Sequence, residues 1–343
     1  MRLEQPNWWY GSRIIDKARA LALSPAGGLY GLAAEARFAF ALAYRSSLPV
    51  ICAGNFTLGG AGKTPLAIAV AELARDWGGK PAFLTRGFGG RIEGPHRVDI
   101  ARDKVADVGD EALLLARVAP TFVAHNRMKG ARTIERAGIA DIIIMDDGFQ
   151  NPSLAKSMSV IAVDGAVGLG NRFIFPAGPL RAPLKAQLRR ADVIVMVGEG
   201  PDLELPRTIT KDGHARVLPV LHARYQPNGD IDWLKTAPVV AFCGIGRPDK
   251  FFRTLEEAGA DVKASVSFPD HHVFTAEDAA SLLETASREK AVLVTTEKDM
   301  ARLEGAEGPL SELKAKARAL PVSLQLDGDS QALLTSLLLQ ALA

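Results

Sequence analysis

One stretch of the sequence decides the fold: Leu48-Pro49-Val50-Ile51-Cys52-Ala53-Gly54-Asn55-Phe56-Thr57-Leu58-Gly59-Gly60-Ala61-Gly62-Lys63-Thr64. Its apolar run over residues 48–53 predicts a buried strand, and a helical pattern begins directly after the glycines. Glycines let backbone N–H groups approach phosphate oxygens, and the N-terminus of the following helix adds partial positive charge. In such a loop Lys63 reaches the β- and γ-phosphates, and the Thr64 hydroxyl can hold Mg²⁺. The stretch therefore predicts a nucleoside triphosphate site.

The loop departs from the strict phosphate-binding pattern at one position. The pattern GxxxxGK[ST] has glycine where this chain has Thr57. A glycine-rich loop can also be an ordinary turn. The Gly62-Lys63-Thr64 ending, placed directly between a buried strand and a helix, favours the nucleotide site over the turn. We expect the nucleotide to contact Thr57, Gly59, Gly60, Ala61, Gly62, Lys63 and Thr64.

Short apolar runs alternate with helical segments on the C-terminal side of this stretch. Strands are predicted at 48–53, 81–85, 121–125, 141–145, 158–163 and 192–197, and loops at 175–183 and 199–214. This alternation predicts an α/β fold with a mostly parallel sheet flanked by helices.

A second series of the same kind follows. Strands are predicted at 238–243, 261–267, 291–295 and 321–326, and helices at 248–258, 275–288, 310–318 and 330–342. Pro227, Asn228 and Gly229 interrupt the pattern between the two series. We expect N-terminal helices over 1–46, a nucleotide-binding and catalytic domain over 47–226, and a smaller α/β domain over 236–343 that closes on the cleft.

Two carboxylates follow another predicted strand. The apolar run over residues 142–145 ends in Asp146-Asp147-Gly148, which is typical of a Walker B segment. Open α/β sheets bind ligands beyond the carboxyl ends of their strands, so these carboxylates should lie near the phosphates. Two acids before a glycine also commonly cap a turn, but the phosphate-binding loop upstream favours the functional interpretation.

Candidate residues for the acceptor side are less specific. Asp110 and Glu111 precede an apolar helix, where acids are favoured as caps, yet an aspartate can also orient or deprotonate an acceptor hydroxyl. Arg127 and Arg181 could neutralise phosphate, although a lone basic residue of this kind is more often a solvated surface charge. His271 lies beside Asp270 after a predicted strand, and such a pair matters only if the two domains close on one cleft.

The composition excludes several classes of protein. The chain has 343 residues, 48% hydrophobic and 23% charged, with a net charge of +2, which is ordinary for a folded protein and too small to predict a nucleic-acid partner. Cys52 and Cys243 have no zinc-site spacing and do not form a disulfide framework. The N-terminus lacks the early apolar region of a secretory signal, so we expect no export.

The segment over residues 7–45 is rich in aromatic and apolar residues with interleaved arginine and lysine. Its longest uncharged stretch, Ala20 to Ala34, has 15 residues and contains Pro25, whereas about 20 are needed to span a bilayer. Aromatic rings at headgroup level with neighbouring cations are typical of an interfacial helix. Packing of these helices on the next domain is the open alternative.

Six ordered motifs together resemble the tetraacyldisaccharide 4'-kinase family. They are Gly54-Asn55 with Gly59-Gly60-Ala61-Gly62-Lys63-Thr64-Pro65, Gly109-Asp110-Glu111, Asp146-Asp147-Gly148-Phe149-Gln150, Phe175-Pro176-Ala177-Gly178-Pro179-Leu180-Arg181, Phe268-Pro269-Asp270-His271-His272 and Thr295-Thr296-Glu297-Lys298-Asp299. The N-terminal segment is similar to the membrane-associating helix of that family. Asn151 stands where the family often has histidine.

The resemblance implies a kinase that uses ATP and Mg²⁺ to phosphorylate the 4'-hydroxyl of a tetraacylated disaccharide 1-phosphate, giving lipid IVA at the cytoplasmic face of a Gram-negative inner membrane. From the small net charge we expect no nucleic-acid partner. By motif the resemblance assigns Asp110 as the base with His271 as its partner, and it places Asp147 in the catalytic network. It assigns Thr64, Glu111 and Asp146 to the metal, and Arg127, Arg181 and Gln150 to the substrate.

Two other functions remain as alternatives. The first is a P-loop GTPase or ATPase switch that acts through protein partners, but Lys298 and Asp299 are adjacent here, whereas a guanine-reading NKxD motif separates them. The second is a peripheral membrane protein whose phosphate-binding loop is only structural; turnover of ATP would exclude it.

Overall fold

The computed structural model describes residues 5–200, 205–206, 208–211 and 214–342. Its strands are β1 (Val50–Asn55), β2 (Pro81–Thr85), β3 (His96–Arg97), β4 (Thr121–Val123), β5 (Ile142–Asp146), β6 (Met158–Asp164), β7 (Val193–Val197), β8 (Thr208–Lys211), β9 (His214–Val217), β10 (Val220–Pro227), β11 (Val239–Cys243), β12 (Val262–Ser267), β13 (Val292–Thr296), β14 (Ala317–Leu320) and β15 (Val322–Leu326). Its helices are α1 (Ile14–Ala39), α2 (Lys63–Asp76), α3 (Val105–Val108), α4 (Asp110–Val118), α5 (Arg127–Ala137), α6 (Leu184–Arg190), α7 (Pro248–Glu257), α8 (Ala276–Glu289), α9 (Glu297–Arg302), α10 (Pro309–Lys316) and α11 (Gly328–Leu342).

A large sheet has β1 at its centre. Its order is β15-β10-β7-β6-β1-β5-β2-β4-β3, and neighbouring strands are parallel except at the two edges, where β15 and β3 are antiparallel to their neighbours. All residues of β1, β5 and β6 are buried, as expected when helices cover both faces of a parallel sheet. The predicted mostly parallel sheet flanked by helices is therefore confirmed.

Helices cover both faces of this sheet. On one face, residues of α2, α4 and α11 such as Leu66, Leu115 and Leu334 join the apolar core, and on the other face Ile134 of α5 and Leu188 of α6 do so. The six predicted strands of the first series begin and end within two residues of the observed ones. Because every central strand points the same way, its carboxyl ends share one edge of the sheet, and the site forms there.

A smaller sheet follows, with the order β12-β11-β13-β14 and only parallel pairs. Helices α7 and α8 pack on its opposite faces, since Phe251 and Leu255 belong to one core and Leu282 to the other. The predicted second, smaller α/β unit is thereby present.

The C-terminal segment differs from the predicted domain division. Strand β15 pairs with β10 through residues such as Leu324 and Tyr225, and α11 contributes Leu338 to the core of the large sheet. Residues 322–342 thus return to the first unit, although the sequence assigns them to the second. An apolar run specifies a strand but not its sheet. The division stays a prediction, which we restate as 47–227 with 322–342 against 231–320.

The segment over 199–214, predicted as a loop, contains strand β8, which pairs with β9 in a two-stranded ribbon. Residues 201–204, 207, 212 and 213 of this region lie outside the described residues. Alternation of polar and apolar residues over only four positions gives little signal above the polar background. The loop predicted at 175–183 has neither helix nor strand.

Helix α1 is one continuous helix that runs through Pro25. Its small residues face the protein: a side chain at Gly27 would lie 2.7 Å from the Ile174 carbonyl oxygen, and one at Gly31 would lie 2.9 Å from Ile174 Cδ1. Large apolar residues face outward, and Leu21, Leu29 and Leu32 are 68%, 71% and 70% exposed. Across the described residues, the structure contains no helix with the length and apolar character that crossing a membrane requires. The helix therefore packs on the protein through one side and leaves an apolar side uncovered.

Candidate functional site

The glycine-rich loop joins β1 to α2 at the carboxyl edge of the large sheet. Gly59 and Gly62 have φ of 99° and 90°, a region in which side chains are strained. Asn55 Nδ2 and Lys63 Nζ donate to the Gly59 carbonyl oxygen at 3.2 and 3.3 Å. The predicted nucleotide-binding residues thus form a turn stabilised by its own polar side chains, with Lys63 folded back over it.

Thr57 lies in extended backbone that bridges to Leu180. Its carbonyl oxygen accepts a hydrogen bond from Arg181 Nε at 2.9 Å, and the residue is buried. The positions of positive φ in the loop are Gly59 and Gly62, so the backbone at residue 57 does not need glycine. This explains locally why threonine is accepted there.

Substitution of Gly62 by alanine should weaken nucleotide binding. A Cβ at Gly62 would lie 2.6 Å from Tyr225 Oη, and φ of 90° adds strain of about 1–2 kcal/mol. We expect about tenfold weaker ATP binding, which corresponds to about 1.4 kcal/mol. Isothermal titration calorimetry measures the ATP affinity of the variant and of the unsubstituted protein. Gly78→Ala is the matched control, because Gly78 also has positive φ and nothing lies within 4 Å of its Cβ position. Equal ATP affinity in both variants would contradict the prediction.

Thr64 and Asp146 form a buried polar pair next to the loop. Thr64 Oγ1 donates to Asp146 Oδ2 at 3.0 Å, whereas Asp146 Oδ1 is buried without a hydrogen-bond partner. Burial raises the pKa of Asp146, and the neighbouring carboxylates Glu111 and Asp147 raise it further. A bound cation would satisfy the unpartnered oxygen and reverse this shift. The pair therefore fits Mg²⁺, which commonly takes one or two protein carboxylates together with water and substrate phosphate.

Glu111, the third predicted metal ligand, is paired with a lysine. Lys298 Nζ of α9 lies 2.8 Å from Glu111 Oε1 at the first turn of α4. Burial alone would raise the pKa of Glu111, but the Lys298 and Lys63 cations outweigh it and lower that pKa. Within the described part of the chain no group of three or more histidine, cysteine or acidic side chains has the geometry to hold a metal. The charge of Glu111 thus interacts with those of Lys63 and Asp146, while its carboxylate forms an ion pair with Lys298.

Asp110 and His271 meet across the two units. His271 Nδ1 lies 3.1 Å from Asp110 Oδ2, although 161 positions separate them along the chain. The Asp110 side chain is only 3% exposed, whereas that of His271 is 21% exposed. Burial opposes ionisation of Asp110, but the His271 hydrogen bond and the Lys298 and Arg302 cations hold the pKa of Asp110 far below its usual range. The sequence predicts that Asp110 faces the acceptor; in the structure His271 is the more accessible member of the pair.

Asp147, Arg181 and Gln150 form a second polar group beside the loop. Arg181 Nη1 donates to Asp147 Oδ1 at 2.9 Å and to Gln150 Oε1 at 3.3 Å, and Gln150 Nε2 donates to the Asn55 carbonyl oxygen at 2.8 Å. Lys63 Nζ lies 3.8 Å from Asp147 Oδ2. Burial opposes ionisation of Asp147, but Lys63 and Arg181 lower its pKa to about 2. Asp147 is therefore ionised, and Asp147 and Gln150 connect this group to Lys63 and Asn55 at the two ends of the phosphate-binding loop.

Arg127 begins α5 and is buried. Its Nη1 donates to the Ala124 carbonyl oxygen, and its Nε is buried without a hydrogen-bond partner. Burial lowers the pKa of Arg127 to about 10, although the Asp147 carboxylate raises it. A buried guanidinium with an unpartnered donor near these carboxylates suits an anionic ligand better than a surface role.

Several residues of the site are absent from the sequence predictions. Arg302 contacts Asp110, and the exposed Phe88 ring lies 5.4 Å from the His271 ring. Lys250 Nζ of α7 lies 2.8 Å from Asp164 Oδ2, at the carboxyl end of β6. A Cβ at Gly246 would lie 3.9 Å from the Gly60 nitrogen, so the loop after β11 faces the phosphate-binding loop. The two units thus meet at the carboxyl edge of the large sheet.

Asn151 forms a local turn. Its Oδ1 accepts hydrogen bonds from the Ser153 nitrogen at 3.0 Å and from Ser153 Oγ at 2.7 Å. The Lys156 ammonium donates to its carbonyl oxygen. The residue shapes the chain between β5 and β6.

Comparison with known proteins gives concordant matches. The family model described as Tetraacyldisaccharide-1-P 4'-kinase matches residues 19–342. A relative from Methylobacterium nodulans named tetraacyldisaccharide 4'-kinase is 50% identical over 333 residues, covering 97% of this chain and 94% of its own. A relative of the same name from Bradyrhizobium diazoefficiens is 44% identical over 337 residues, covering 98% and 96%.

A solved structure matches as well. It is described as the "apo" form of LpxK from Aquifex aeolicus in complex with ATP. The TM-score is 0.71 at 25% sequence identity, with 94% of this chain and 99% of that chain covered. The covered share of this chain is large enough to include residues of both sheets.

Proposed function

The chain belongs to the tetraacyldisaccharide-1-P 4'-kinase family, and from that premise we propose how its residues perform the reaction. The enzyme is an ATP-dependent kinase that transfers the γ-phosphate of ATP to the 4'-hydroxyl of tetraacyldisaccharide 1-phosphate, a reaction of lipid A biosynthesis that gives lipid IVA. A P-loop switch acting through protein partners is not favoured. The observations that support the mechanism are the contact of His271 with Asp110 across the two units and the approach of the loop after β11 to the phosphate-binding loop, where a Cβ at Gly246 would lie 3.9 Å from the Gly60 nitrogen.

The nucleotide phosphates would be held by the loop Gly59-Gly60-Ala61-Gly62 and by Lys63, with Thr57 supporting the loop from beneath. Backbone N–H groups at the start of α2 point toward that position and favour negative charge. Thr64 and Asp146 would hold Mg²⁺, and Glu111 could join them once released from Lys298. When bound, Mg²⁺ supplies neutralisation of the charge that develops on the phosphate oxygens.

The Asp110–His271 pair would receive the proton of the acceptor. A bond forms between the 4'-oxygen and the γ-phosphorus, the bond from that phosphorus to the bridging oxygen breaks, and ADP leaves. The hydroxyl proton passes to the pair. Since Asp110 is buried beneath His271, the ring lies nearer to an incoming sugar, and Asp110 orients that ring. The exposed Phe88 ring beside His271 offers the sugar an apolar surface.

Phosphate groups of the substrates would be steadied by the buried cation Arg127 and by Arg181, with Asp147 and Gln150 fixing Arg181 in place. Guanidinium groups present several donors in a fixed plane that matches phosphate oxygens. Asp147 would then act through Arg181 and Lys63, both of which it approaches.

The substrate requires a membrane surface. Extracting acyl chains into water costs about 0.8 kcal/mol per CH₂, which is prohibitive for four chains. Helix α1 has outward-facing leucines on a protein without a membrane-crossing helix in its described residues. We propose that α1 lies in the bilayer surface at the cytoplasmic face of the inner membrane and that the headgroup enters the cleft while its chains stay in lipid.

A transfer assay tests the proposal. Purified enzyme is incubated with [γ-³²P]ATP, Mg²⁺ and detergent micelles of an acylated disaccharide 1-phosphate, and label in the organic-extractable fraction is counted. We expect labelled lipid that depends on Mg²⁺ and on the acceptor. Release of inorganic phosphate without labelled lipid would support the switch alternative, and no turnover of ATP would indicate a structural loop.

Negative charges introduced on the exposed apolar side of α1 should weaken membrane binding. In the variant Leu21→Glu/Leu29→Glu/Leu32→Glu, three exposed leucines are lost, and each contributes about 1.5–3 kcal/mol when buried. We expect at least about 100-fold weaker partitioning into vesicles, by sedimentation, with unchanged ATP affinity. Leu333→Glu/Leu339→Glu on α11 is the control, since both residues are exposed. Equal vesicle binding by the two variants would show that α1 does not contact the membrane.

A further inference from the structure

Arg302 is a buried arginine that joins the two units of the molecule. It is the last residue of α9 in the second unit, and its side chain is only 7% exposed. Its Nε donates to Asp110 Oδ2 at 3.0 Å, and its Nη2 donates to the same oxygen. The partner lies 192 positions away along the chain. Two donors of one guanidinium therefore hold the buried carboxylate of the Asp110–His271 pair.

The remaining donors of Arg302 fix its own orientation. Nη1 donates to Asp299 Oδ1 and to the Gly244 carbonyl oxygen, both at 2.6 Å. Asp299 is fully buried and accepts further hydrogen bonds from the Gly244 nitrogen at 3.1 Å and from Thr296 Oγ1 at 2.6 Å. The guanidinium plane is thus held between the start of α9 and the loop after β11.

The loop after β11 also holds the backbone of His271. The Gly244 carbonyl oxygen, which Arg302 binds, also accepts a hydrogen bond from the His271 nitrogen at 3.0 Å. Arg302 Nη2 lies 3.3 Å from His271 Nδ1. One side chain therefore connects the carboxylate, the ring and the backbone that carries the ring. A lysine could supply the charge but not this planar set of donors.

We propose that Arg302 is a positioning residue of the phosphoryl transfer, whose guanidinium fixes the position of the His271 ring relative to the Asp110 carboxylate. This inference rests on the proposed roles of Asp110 and His271. Arg302 acts through them and does not itself touch the acceptor. A misplacement of about 1 Å can cost about 100-fold in rate, so loss of this fork lowers kcat even when both substrates bind.

Kinetics of substituted enzymes test the proposal. We expect Arg302→Ala to lower kcat about 100-fold with ATP affinity and the KM for the lipid within about threefold of the unsubstituted enzyme. Arg302→Lys should keep the charge and the fold but remain at least about tenfold slower. Guanidinium chloride at low millimolar concentration should restore part of the activity of Arg302→Ala and none of that of Arg302→Lys, whose side chain fills the space. Arg288→Ala is the control, because Arg288 is an exposed arginine of the same unit paired with Glu289.

Each result has one meaning. If unsubstituted enzyme labels the lipid while Arg302→Lys keeps full kcat, the proposal is overturned and the proposed function stands. A variant Arg302→Ala that loses kcat, ATP affinity and melting temperature together, without rescue by guanidinium, would also overturn the proposal. Such a result would indicate a purely structural role. If unsubstituted enzyme labels no lipid, the proposed function itself fails.

Discussion

Replacement of Asp110 by asparagine is expected to lower kcat by about 10²–10⁴-fold, the range of general acid–base catalysis. Asparagine keeps the shape of the side chain but removes the charge that orients and stabilises the His271 ring and pairs with Arg302. Because the nucleotide would be held by the loop after β1, ATP affinity should stay within about threefold of its starting value. Steady-state kinetics and calorimetry on one preparation measure the two quantities.

A matched control exists for this substitution. Asp103 forms a contact of the same kind with His96, at 2.7 Å, on a different loop. Asp103→Asn makes the same chemical change away from the site, so kcat should stay unchanged. A melting temperature is needed for both, since removing one partner of a buried ion pair costs about 3–5 kcal/mol. Near-normal kcat in folded Asp110→Asn would remove Asp110 from the mechanism.

Replacement of Lys63 by alanine should affect both nucleotide binding and transfer. The lysine lies over the glycine turn, where its Nζ is 3.3 Å from the Gly59 carbonyl oxygen and 3.8 Å from Asp147 Oδ2. A preorganised donor aimed at developing charge contributes about 10²–10³-fold to kcat. We expect a loss of at least that size, together with weaker ATP binding.

The control for Lys63→Ala is Lys80→Ala, because Lys80 is an exposed lysine near the far end of the helix that Lys63 begins. Kinetics at saturating ATP separate the loss in kcat from the loss in affinity. Full activity of Lys63→Ala at saturating ATP would mean that the loop only binds the nucleotide.

The features of the fold that follow from neighbouring residues were predictable from sequence. Strand β1, its glycine turn and helix α2 are specified by consecutive positions, and β5 with Asp146 has the same character. Their meeting at one edge follows because parallel strands align their carboxyl ends. The ordered motifs added a resemblance to a kinase family, and the family match confirms that resemblance.

Contacts between the two units were not predictable in the same way. Lys298 lies 187 positions from Glu111, and Arg302 lies 192 positions from Asp110. No period or spacing encodes such a pairing, although the motif at 295–299 marked the segment that contains Lys298. The return of β15 to the large sheet was missed for a related reason: its apolar run suits either sheet, and only the tertiary packing selects one.

Helix α1 shows how two alternatives can both describe one segment. The sequence left open whether it contacts the membrane or the protein. Gly27 and Gly31 face the loop containing Ile174, while the large apolar side chains point away from the protein. Small residues allow close approach of the helix, so packing on the protein leaves the leucines available for lipid.

The position of the transferred phosphate tests the central claim most directly. Product made from ATP and the acylated disaccharide 1-phosphate is purified, and a ¹H–³¹P correlation spectrum identifies the sugar proton coupled to the new phosphorus. The account predicts one new phosphomonoester coupled to the proton on the 4' carbon, with the original 1-phosphate unchanged. A new phosphorus coupled to any other sugar proton, or joined to the 1-phosphate as a diphosphate, would contradict it.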